Sequence, residues 1–363
     1  LAGQRLSNPL PSPLPEVLAE GRLRLNAANA ALGAIRDTLE AGADKGKAAG
    51  GSLDDAKQRL LRAQTLILRL TEHVDHALDF GEQYVPFVSG SPESARLEIA
   101  PLDVAPVLRE AVWSRRTAVL TSATIPSSLA TRVGLPATST DTADVGSPFD
   151  YEHHGLLYCA MHLPDPRNAN YGARLHEELA ALIEAAGGRT LALFTSWRAM
   201  DAAAEALGKR SPRLPFRILT QRDLPKPALI RAFKDDPETC LLATAGFFQG
   251  VDLPGDTLTL VTIDRLPFPR PDDPLLSARR EQLGAAAFRE IDIPRAAMLL
   301  AQAAGRLIRT ATDRGVVAVL DPRLGTANYR WDLVRALPPM RRTRERSEAE
   351  KFLRSLRGSA TGG

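Results

Sequence analysis

The chain has 363 residues, which is enough for two domains with a sizeable buried core. Its 46 lysines and arginines against 43 aspartates and glutamates leave a formal charge of only +3, too small to argue for a nucleic-acid partner by itself. No apolar run approaches the length of a membrane span and no signal-peptide pattern opens the sequence, so we expect a cytoplasmic protein without a membrane partner. The two cysteines, Cys159 and Cys240, lie in strand-like runs and are expected to be small buried residues rather than metal ligands.

The first part of the chain shows the spacing of two amphipathic helices. Within residues 14–80, apolar side chains recur at steps of three and four on either side of a segment rich in Gly, Ala and Lys at 42–51. Such a segment favours a flexible connection. We therefore predict an antiparallel helical hairpin.

From about residue 115 onward the pattern changes to short β-branched runs separated by helical patterns. This alternation predicts an α/β domain with a mostly parallel, doubly wound sheet covered by helices on both faces. Ligands of such sheets gather at the carboxyl ends of strands, so we expect functional residues at strand ends or in the loops that follow them. The predicted strands are 118–120, 156–161, 190–194, 216–219, 240–244, 257–263 and 315–320, and the predicted helices are 175–186, 199–207, 228–233, 275–288 and 293–308.

The segment from Gln302 to Arg309 is the most informative part of the sequence. It runs Gln-Ala-Ala-Gly-Arg-Leu-Ile-Arg and places Arg306 and Arg309 on one side of a predicted helix. A guanidinium group keeps its proton and can hold two phosphate oxygens at once, so this pair suits a polyanion such as a nucleoside triphosphate. Because the same spacing is common on solvated helix faces, the interpretation depends on other segments.

Three earlier segments strengthen the interpretation. Two apolar runs end in small hydroxyl residues, Leu120 to Thr124 and Leu191 to Ser196, and Gly250 to Gly255 has the sequence Gly-Val-Asp-Leu-Pro-Gly. A Leu-Pro-Phe-Pro-Arg-Pro loop follows at Leu266 to Pro271. In this order, and closed by the segment from Gln302 to Arg309, they resemble motifs III to VI of superfamily 2 helicases, and most closely those of the DinG/XPD family of DNA helicases.

The resemblance implies a RecA-like second motor domain of the P-loop NTPase type and suggests a role for single residues. Arg306 and Arg309 would act on bound nucleotide as catalytic arginines, with Gln302 beside the γ-phosphate. The residues implied in nucleotide binding or in coupling between domains are Gly250, Asp252, Gly305, Ser122 and Thr124, and those implied in DNA binding are Thr195, Ser196, Thr244 and Phe248. For Phe248, and for Phe247 beside it, core packing is the alternative.

Two motifs of an active NTPase are absent from the sequence: the loop Gly-x-x-x-x-Gly-Lys-Ser/Thr that surrounds phosphates, and an acidic strand end for magnesium. In the DinG/XPD family both precede the part that this chain resembles. We therefore expect the C-terminal portion of a larger motor, inactive alone, whose partners are single-stranded DNA and an N-terminal motor domain. That domain would bind most of the ATP and Mg²⁺ and would carry any iron–sulfur cluster, so we expect no metal site in this chain.

The predicted organisation has three parts. Residues 1–110 would form a helical segment like the second half of the family's arch domain, 111–148 the end of the first motor domain with motif III and a linker, and 149–363 the second RecA-like domain.

Two functions are compatible with these features. The first is the C-terminal part of an ATP-dependent DNA helicase, which in this family moves 5′ to 3′ on single-stranded DNA in repair. The alternative is a non-catalytic nucleic-acid-binding or regulatory module that has lost the phosphate-binding loop. Gln302, Arg306 and Arg309 favour the first, because a chain freed from hydrolysis has little use for catalytic arginines.

Overall fold

The computed structural model divides into two compact units, neither of which is continuous in sequence. It describes residues 3–43, 50–122, 125–126, 128–210, 215–236, 238–244, 247 and 258–357. Unit 1 comprises Leu1–Arg116, Thr131–Leu135 and Arg270–Gly284, and unit 2 comprises Thr117–Ala130, Pro136–Pro269 and Ala285–Gly363. The three domains drawn from the sequence stay a prediction.

Unit 1 begins with the predicted helical hairpin. Helix α1 spans Leu14–Ala43 and α2 spans Gly50–Leu78. Arg22, near the start of α1, places its Nη1 3.3 Å from Oδ1 of Asp75, near the end of α2, so the two helices run antiparallel. The prediction of two N-terminal helices is confirmed.

A two-stranded antiparallel sheet follows the hairpin and was not predicted. Strand β1 (Tyr84–Ser89) pairs with β2 (Arg96–Pro101), and the chain then forms the short helix α3 (Ala105–Leu108). The turn between the strands begins at Gly90, whose φ of +85° would strain any residue with a side chain. The signal in the sequence was the run Tyr84 to Val88 followed by Ser-Gly-Ser-Pro.

Unit 2 is built on a parallel sheet of seven strands. Its order is β5-β6-β4-β7-β8-β3-β9, and every recorded pairing is parallel. The central strands are continuous apolar runs because helices cover both of their faces. The strands are β3 Gly155–Cys159, β4 Thr190–Phe194, β5 Ile218–Thr220, β6 Cys240–Thr244, β7 Leu260–Ile263, β8 Gly315–Val319 and β9 Arg341–Thr343.

The helices after residue 128 alternate with the strands, although residues 131–135 and 270–284 belong to unit 1. They are α4 Leu129–Arg132, α5 Tyr151–His154, α6 Tyr171–Ala186, α7 Trp197–Gly208, α8 Lys226–Asp235, α9 Pro274–Leu283, α10 Ile293–Ala304, α11 Arg323–Thr326, α12 Arg330–Val334 and α13 Arg346–Arg357. Short 3₁₀ turns occur at Pro92–Ser94, Ala137–Ser139 and Gly284–Ala286, and π-helical turns at Arg109–Trp113 and Phe288–Asp292.

The core of unit 2 has two layers, one on each face of the sheet. On one face α6, α7 and α13 pack around Tyr158, and on the other α8, α10, α11 and α12 pack around Val261 and Val317. Alternate residues of a strand point to opposite faces, so each central strand contributes to both layers. The doubly wound, RecA-like fold predicted from the sequence is therefore confirmed.

A pair of glycines turns the chain from α6 into β4. Gly187 ends α6 with φ +69°, and Gly188 has φ +87°. A Cβ atom on Gly188 would lie 1.9 Å from the carbonyl oxygen of Glu238, which no side chain tolerates. The close approach of two backbones at the amino ends of β4 and β6 therefore requires glycine.

The predicted strand 118–120 and the predicted helix 275–288 both differ in the structure. The predicted strand 118–120 is not formed, and the side chain of Val119 is 85% exposed. An apolar run becomes a strand only when a neighbour accepts and donates its backbone hydrogen bonds, and no strand in the described ranges lies beside it. The predicted helix 275–288 instead ends at Leu283, and α9 packs in unit 1, where Leu275 and Ala278 contact Val85 and Leu102.

Candidate functional site

The two candidate arginines follow a helix end rather than lying within a helix. Helix α10 ends at Ala304, four residues before the predicted end, and the N–H of Gly305 makes the last helical hydrogen bond, to the carbonyl of Ala301 (2.9 Å). The next two N–H groups, of Arg306 and Leu307, each donate to the carbonyl three residues back (both 3.1 Å). Arg306 and Arg309 therefore follow α10 in and after a tighter turn, and the prediction that the helix continues to residue 308 is wrong.

Burial alternates along this turn. Leu307 and Ile308 lie in the core of unit 2, whereas Gln302, Arg306 and Arg309 are half-buried. The apolar pair therefore anchors the segment in the core of unit 2. Gly305 has an ordinary helical φ of −67°, so its backbone conformation does not by itself require glycine.

Asp313 holds the loop after Arg309 in place, and the sequence did not single it out. Its carboxylate is 5% exposed and accepts hydrogen bonds from the N–H of Arg309 (2.8 Å), the N–H of Thr310 (2.9 Å) and the hydroxyl of Thr310 (2.5 Å). Strand β8 begins two residues later. Gln302, Arg306 and Arg309 thus precede a strand and lie toward the amino edge of the sheet, contrary to the expectation that all functional residues follow strand ends.

Thr195 lies at the opposite, carboxyl edge of the sheet, immediately after β4. Its N–H donates to Oδ1 of Asp264 (2.8 Å) and its hydroxyl donates to Oδ2 (3.3 Å). Asp264 immediately follows β7, the neighbour of β4, and its Oδ1 also accepts the N–H of Arg265 (2.7 Å). The aspartate therefore joins two adjacent strand ends at the place where Thr195 was predicted to contact DNA.

Burial dominates the electrostatics of Asp264. The residue is only 3% exposed, and loss of hydration raises the pKa of its carboxyl group to about 7, although hydrogen bonds from the N–H groups of Thr195 and Arg265 and the positive charge of Arg265 oppose this rise. The carboxyl group therefore changes charge near neutral pH.

The same edge continues toward β8 through buried polar contacts. The hydroxyl of Tyr171, on α6, donates to the carbonyl oxygens of Asp264 (2.6 Å) and Leu320 (3.1 Å), and the guanidinium carbon of Arg265 lies 4.9 Å from the centre of the Tyr171 ring. After β8, Asp321 is fully buried and accepts from the N–H of Leu266 (2.9 Å).

Asp321 also forms the most buried ion pair of this edge. Nη2 of Arg323 lies 2.6 Å from its Oδ2, and Nε of Arg323 lies 2.9 Å from its Oδ1. The guanidinium carbon of Arg323 lies 5.8 Å from the ring centre of Phe268, in the Leu-Pro-Phe loop. Asp321 thus fixes the loop that follows β7 as well as its own turn.

Ser196 and Trp197 begin helix α7 beside Thr195. The hydroxyl oxygen of Ser196 caps the helix by accepting the N–H of Ala199 (3.2 Å), so this side chain already has a structural use. Trp197 is 43% exposed, and the guanidinium carbon of Arg222 lies 4.5 Å from its ring centre. Arg222 is held by Asp201 through two hydrogen bonds. An exposed aromatic ring beside a fixed cation was a functional signal that the sequence analysis missed.

Thr244, at the end of β6, is more enclosed than Thr195. It is 8% exposed, and both its N–H (2.8 Å) and its hydroxyl (2.9 Å) donate to Oε1 of Gln221. Phe247 is 1% exposed within the core, which agrees with the core-packing alternative for that residue.

The remaining candidates have less structural description. Ser122 is exposed in a segment without regular secondary structure. Thr124, Phe248, Gly250 and Asp252 lie outside the described residues. Of the ranges that the structure describes, no part brings together three His, Cys, Asp or Glu side chains suited to a metal ion, and no helix there has the length and apolar character needed to cross a bilayer.

Comparisons with known proteins give the family. The helicase C-terminal domain family matches residues 179–340. An apo XPD structure shares the fold over 80% of this chain and 59% of its own, with a TM-score of 0.55 at 20% identity. The ATP-dependent helicase DinG of Mycobacterium tuberculosis (strain H37Rv) is 48% identical over 276 residues. The chain belongs to the DinG/XPD family of helicases. The ATP-dependent DNA helicase YoaA of Escherichia coli K12 is 34% identical over 331 residues.

These matches cover much of this chain but a smaller share of the relatives. The DinG alignment covers 73% of this chain and 41% of that protein, and the YoaA alignment covers 88% and 50%. The chain thus spans about half the length of the curated relatives it matches. Residues 179–340 include the carboxyl-end residues Thr195, Asp264 and Asp321, as well as the segment from Gln302 to Asp313 before β8.

Proposed function

We propose that this chain is the C-terminal part of an ATP-dependent DNA helicase that moves 5′ to 3′ along single-stranded DNA in repair, in the cytoplasm. ATP and Mg²⁺ would be bound mainly by an N-terminal motor domain, which would also carry any iron–sulfur cluster. The chain would supply two arginines to the nucleotide and a set of contacts to the DNA strand. It contains no phosphate-binding loop, so alone it should show no ATP turnover above background.

The observation that carries the proposal is the way Arg306 and Arg309 are held. Buried Leu307 and Ile308 anchor the turn, and Asp313 fixes the backbone of Arg309. Two half-buried arginines on an anchored backbone suit a polyanion, because a guanidinium group keeps its proton and can hold two phosphate oxygens at once.

In hydrolysis, Arg306 and Arg309 would neutralise the negative charge that develops as the γ-phosphoryl group leaves. Gln302, half-buried one turn earlier, would orient the attacking water. Gly250 would permit a close approach of the backbone, and Gly305 would belong to the same nucleotide-binding set. Asp252 would link the nucleotide cleft to the DNA-binding surface, and Ser122 and Thr124 would transmit closure between the domains.

The carboxyl edge would hold the DNA strand. Thr195 directly follows β4 and α7 begins two residues later, and a helix amino terminus attracts phosphate. Trp197, stacked on Arg222, would take an unpaired base, since stacking on an aromatic ring does not depend on base identity. Ser196, Thr244 and Phe248 remain proposed contacts, of which Thr244 is the most enclosed by its neighbours.

The arginine assignment is tested in the longer protein that includes the phosphate-binding domain. Arg306→Ala and Arg309→Ala should each lower DNA-stimulated ATP hydrolysis by roughly 10³-fold and leave DNA affinity nearly unchanged, because a catalytic arginine acts on charge present only in the transition state. Arg306→Lys should stay slow, since lysine lacks the planar fork. Arg354→Ala, an exposed arginine on α13, is the matched control and should hydrolyse normally. Near-normal hydrolysis by Arg306→Lys would contradict the assignment.

The DNA surface is tested by fluorescence anisotropy with labelled oligo(dT) and this chain. Binding should be weak, independent of sequence and steeply weakened by salt, because phosphates dominate the contact. Trp197→Ala should lower the affinity by about 1 to 3 kcal/mol, the usual value of one base stacked on an aromatic ring. Salt-independent binding, or preference for one short sequence, would count against a translocating motor.

A further inference from the structure

The hydroxyl group of Thr195 has a conflict of hydrogen-bonding partners. It carries one hydrogen, which the structure directs to Oδ2 of Asp264 at 3.3 Å. A phosphodiester is ionised at all ordinary pH values and its oxygens only accept hydrogen bonds. While Asp264 is ionised, Thr195 therefore cannot donate to a phosphate without giving up the carboxylate.

Asp264 can resolve this conflict by taking up a proton. Its Oδ1 already accepts two N–H groups, from Thr195 and Arg265, so a proton on the carboxyl group belongs on Oδ2. From there it would be donated to Oγ1 of Thr195, which frees the threonine hydrogen for the phosphate. Protonation also removes the buried negative charge of Asp264, which would otherwise repel a phosphate bound at Thr195.

We propose that Asp264 is a positioning residue that holds a proton whenever Thr195 holds a phosphate of single-stranded DNA, so that DNA binding at this edge takes up one proton from solvent and dissociation returns it. The inference rests on the proposed function, since it takes the strand phosphate as the ligand of Thr195. It goes beyond that function by adding Asp264 to the site and by coupling DNA binding to the uptake of a proton.

The neighbouring groups show why the proton is assigned to the carboxyl group of Asp264. Arg265 supplies the nearest positive charge, and Tyr171, from α6, donates to the Asp264 carbonyl rather than to the carboxylate. Asp321, after β8, has its charge balanced by Arg323. Thr195, from β4, is not titratable. With a carboxyl pKa of about 7 in the absence of DNA, Asp264 is already partly protonated at neutral pH, so uptake approaches one proton only above pH 7, where the free carboxyl group is ionised.

Thr244 provides a matched comparison within the same edge. Its hydroxyl also donates to a side-chain oxygen, that of Gln221, at 2.9 Å. An amide does not titrate, so a phosphate contact at Thr244 would not be linked to a proton. Thr195 and Thr244 should therefore differ in the pH dependence of whatever affinity they contribute.

The test is the pH profile of affinity for labelled oligo(dT), measured by anisotropy with the 363-residue chain at constant ionic strength. Wild-type affinity should fall above pH 7, approaching tenfold per pH unit, as expected for uptake of about one proton. Asp264→Asn mimics the protonated form, because its amide can donate to Thr195 while its oxygen accepts both N–H groups. That variant should bind with a profile that is nearly independent of pH and should exceed the wild type above about pH 8.

Two threonine variants test whether the pH dependence of DNA affinity arises at Thr195. Thr195→Val should remove the pH dependence together with part of the affinity, whereas Thr244→Val should leave the wild-type slope intact. A flat wild-type profile, or an unchanged slope in folded Asp264→Asn, would overturn the proposal.

A second measurement does not depend on any variant. Calorimetric titration of the wild type with oligo(dT) at about pH 8, in buffers of different ionisation enthalpy, should show uptake approaching one proton per strand bound. Zero uptake would overturn the linkage even if Asp264→Asn failed to fold. If the wild type bound no single-stranded DNA at any pH, the proposed function itself would fail, which is a different outcome from DNA binding without proton uptake.

Discussion

The carboxyl edge of the unit 2 sheet and the loop before β8 both depend on buried aspartates, but over very different distances along the chain. At the carboxyl edge, Asp264 binds Thr195 from 69 residues away, and Asp321 binds Leu266 from 55 residues away. Before β8, the described hydrogen bonds of Asp313 go to Arg309 and Thr310, four and three residues away. The contacts of the carboxyl edge therefore depend on tertiary structure, whereas those of Asp313 are local.

This difference predicts how far the structural effect of substituting each aspartate should extend. Loss of a long-range aspartate should loosen neighbouring strand ends together, because each carboxylate joins segments that are far apart in the sequence. Loss of Asp313 should free one loop and leave the sheet intact.

The largest effect is expected at Asp321. Asp321→Ala removes a fully buried carboxylate, leaves the half-buried guanidinium of Arg323 without its partner and leaves the N–H of Leu266 without an acceptor. We expect a loss of about 3 kcal/mol in the free energy of unfolding, measured by urea denaturation. Hydrogen exchange should rise at the carboxyl ends of both β7 and β8. A change confined to the Asp321 turn would contradict a long-range role.

A pH-dependent effect is expected at Asp264. The pKa of its carboxyl group rises from 3.8 to about 7 on folding, so its contribution to stability is present below pH 3.8 and is lost as pH rises to about 7. Asp264→Asn has no such loss and should be more stable than the wild type at about pH 8, by about 1 to 3 kcal/mol. Thermal unfolding of both proteins across this pH range measures the difference. A constant difference at all pH values would show that the buried carboxyl group does not titrate as argued.

A smaller and local effect is expected at Asp313. Asp313→Ala leaves two backbone N–H groups and one hydroxyl without their acceptor, which should cost about 1 to 2 kcal/mol. Faster hydrogen exchange should be limited to residues 309–314. Asp313→Asn keeps an acceptor oxygen and is the control, with a smaller loss. Faster exchange at β4 or β7 would remove the distinction between the two regions.

The smallest effect is expected for an exposed ion pair on the same unit. Lys209 lies 2.7 Å from Glu205, but their side chains are 74% and 70% exposed. Lys209→Ala should therefore change the free energy of unfolding by less than about 0.5 kcal/mol, measured under the same conditions as Asp321→Ala. A loss comparable with that of Asp321→Ala would mean that burial is not what gives the aspartates their importance.

Some elements of the fold could be predicted to the residue. Strands 190–194 and 240–244 match β4 and β6, because both are apolar runs bounded by turn residues. Strand β9 was missed, since Arg341 and Arg342 are charged and the strand exists only as an edge partner of β3. The end of α10 was misplaced because Leu307 and Ile308 continue its apolar spacing beyond Gly305, although glycine after a helical pattern is itself a stop signal.

The candidate site was predicted unevenly for a physical reason. Thr195, Arg306 and Arg309 could be proposed because their segments carry recognisable motifs. Asp264 and Asp321 each directly follow an apolar strand run, which was the available signal, yet an aspartate in that place is more often exposed. Whether it is buried depends on what the neighbouring strand brings beside it.

The sequence by itself determined the helical hairpin, the alternation of strands and helices and the family, because periodicity and motif spacing are local properties of the chain. The tertiary structure decided that the arginines and Thr195 lie toward opposite edges of one sheet, and that Asp264, Asp313 and Asp321 are buried. Parallel strands obtain their neighbours through crossovers, so the partner of a strand end is set by sheet order. A carboxyl group acquires a shifted pKa and a fixed partner only once that order has removed it from water.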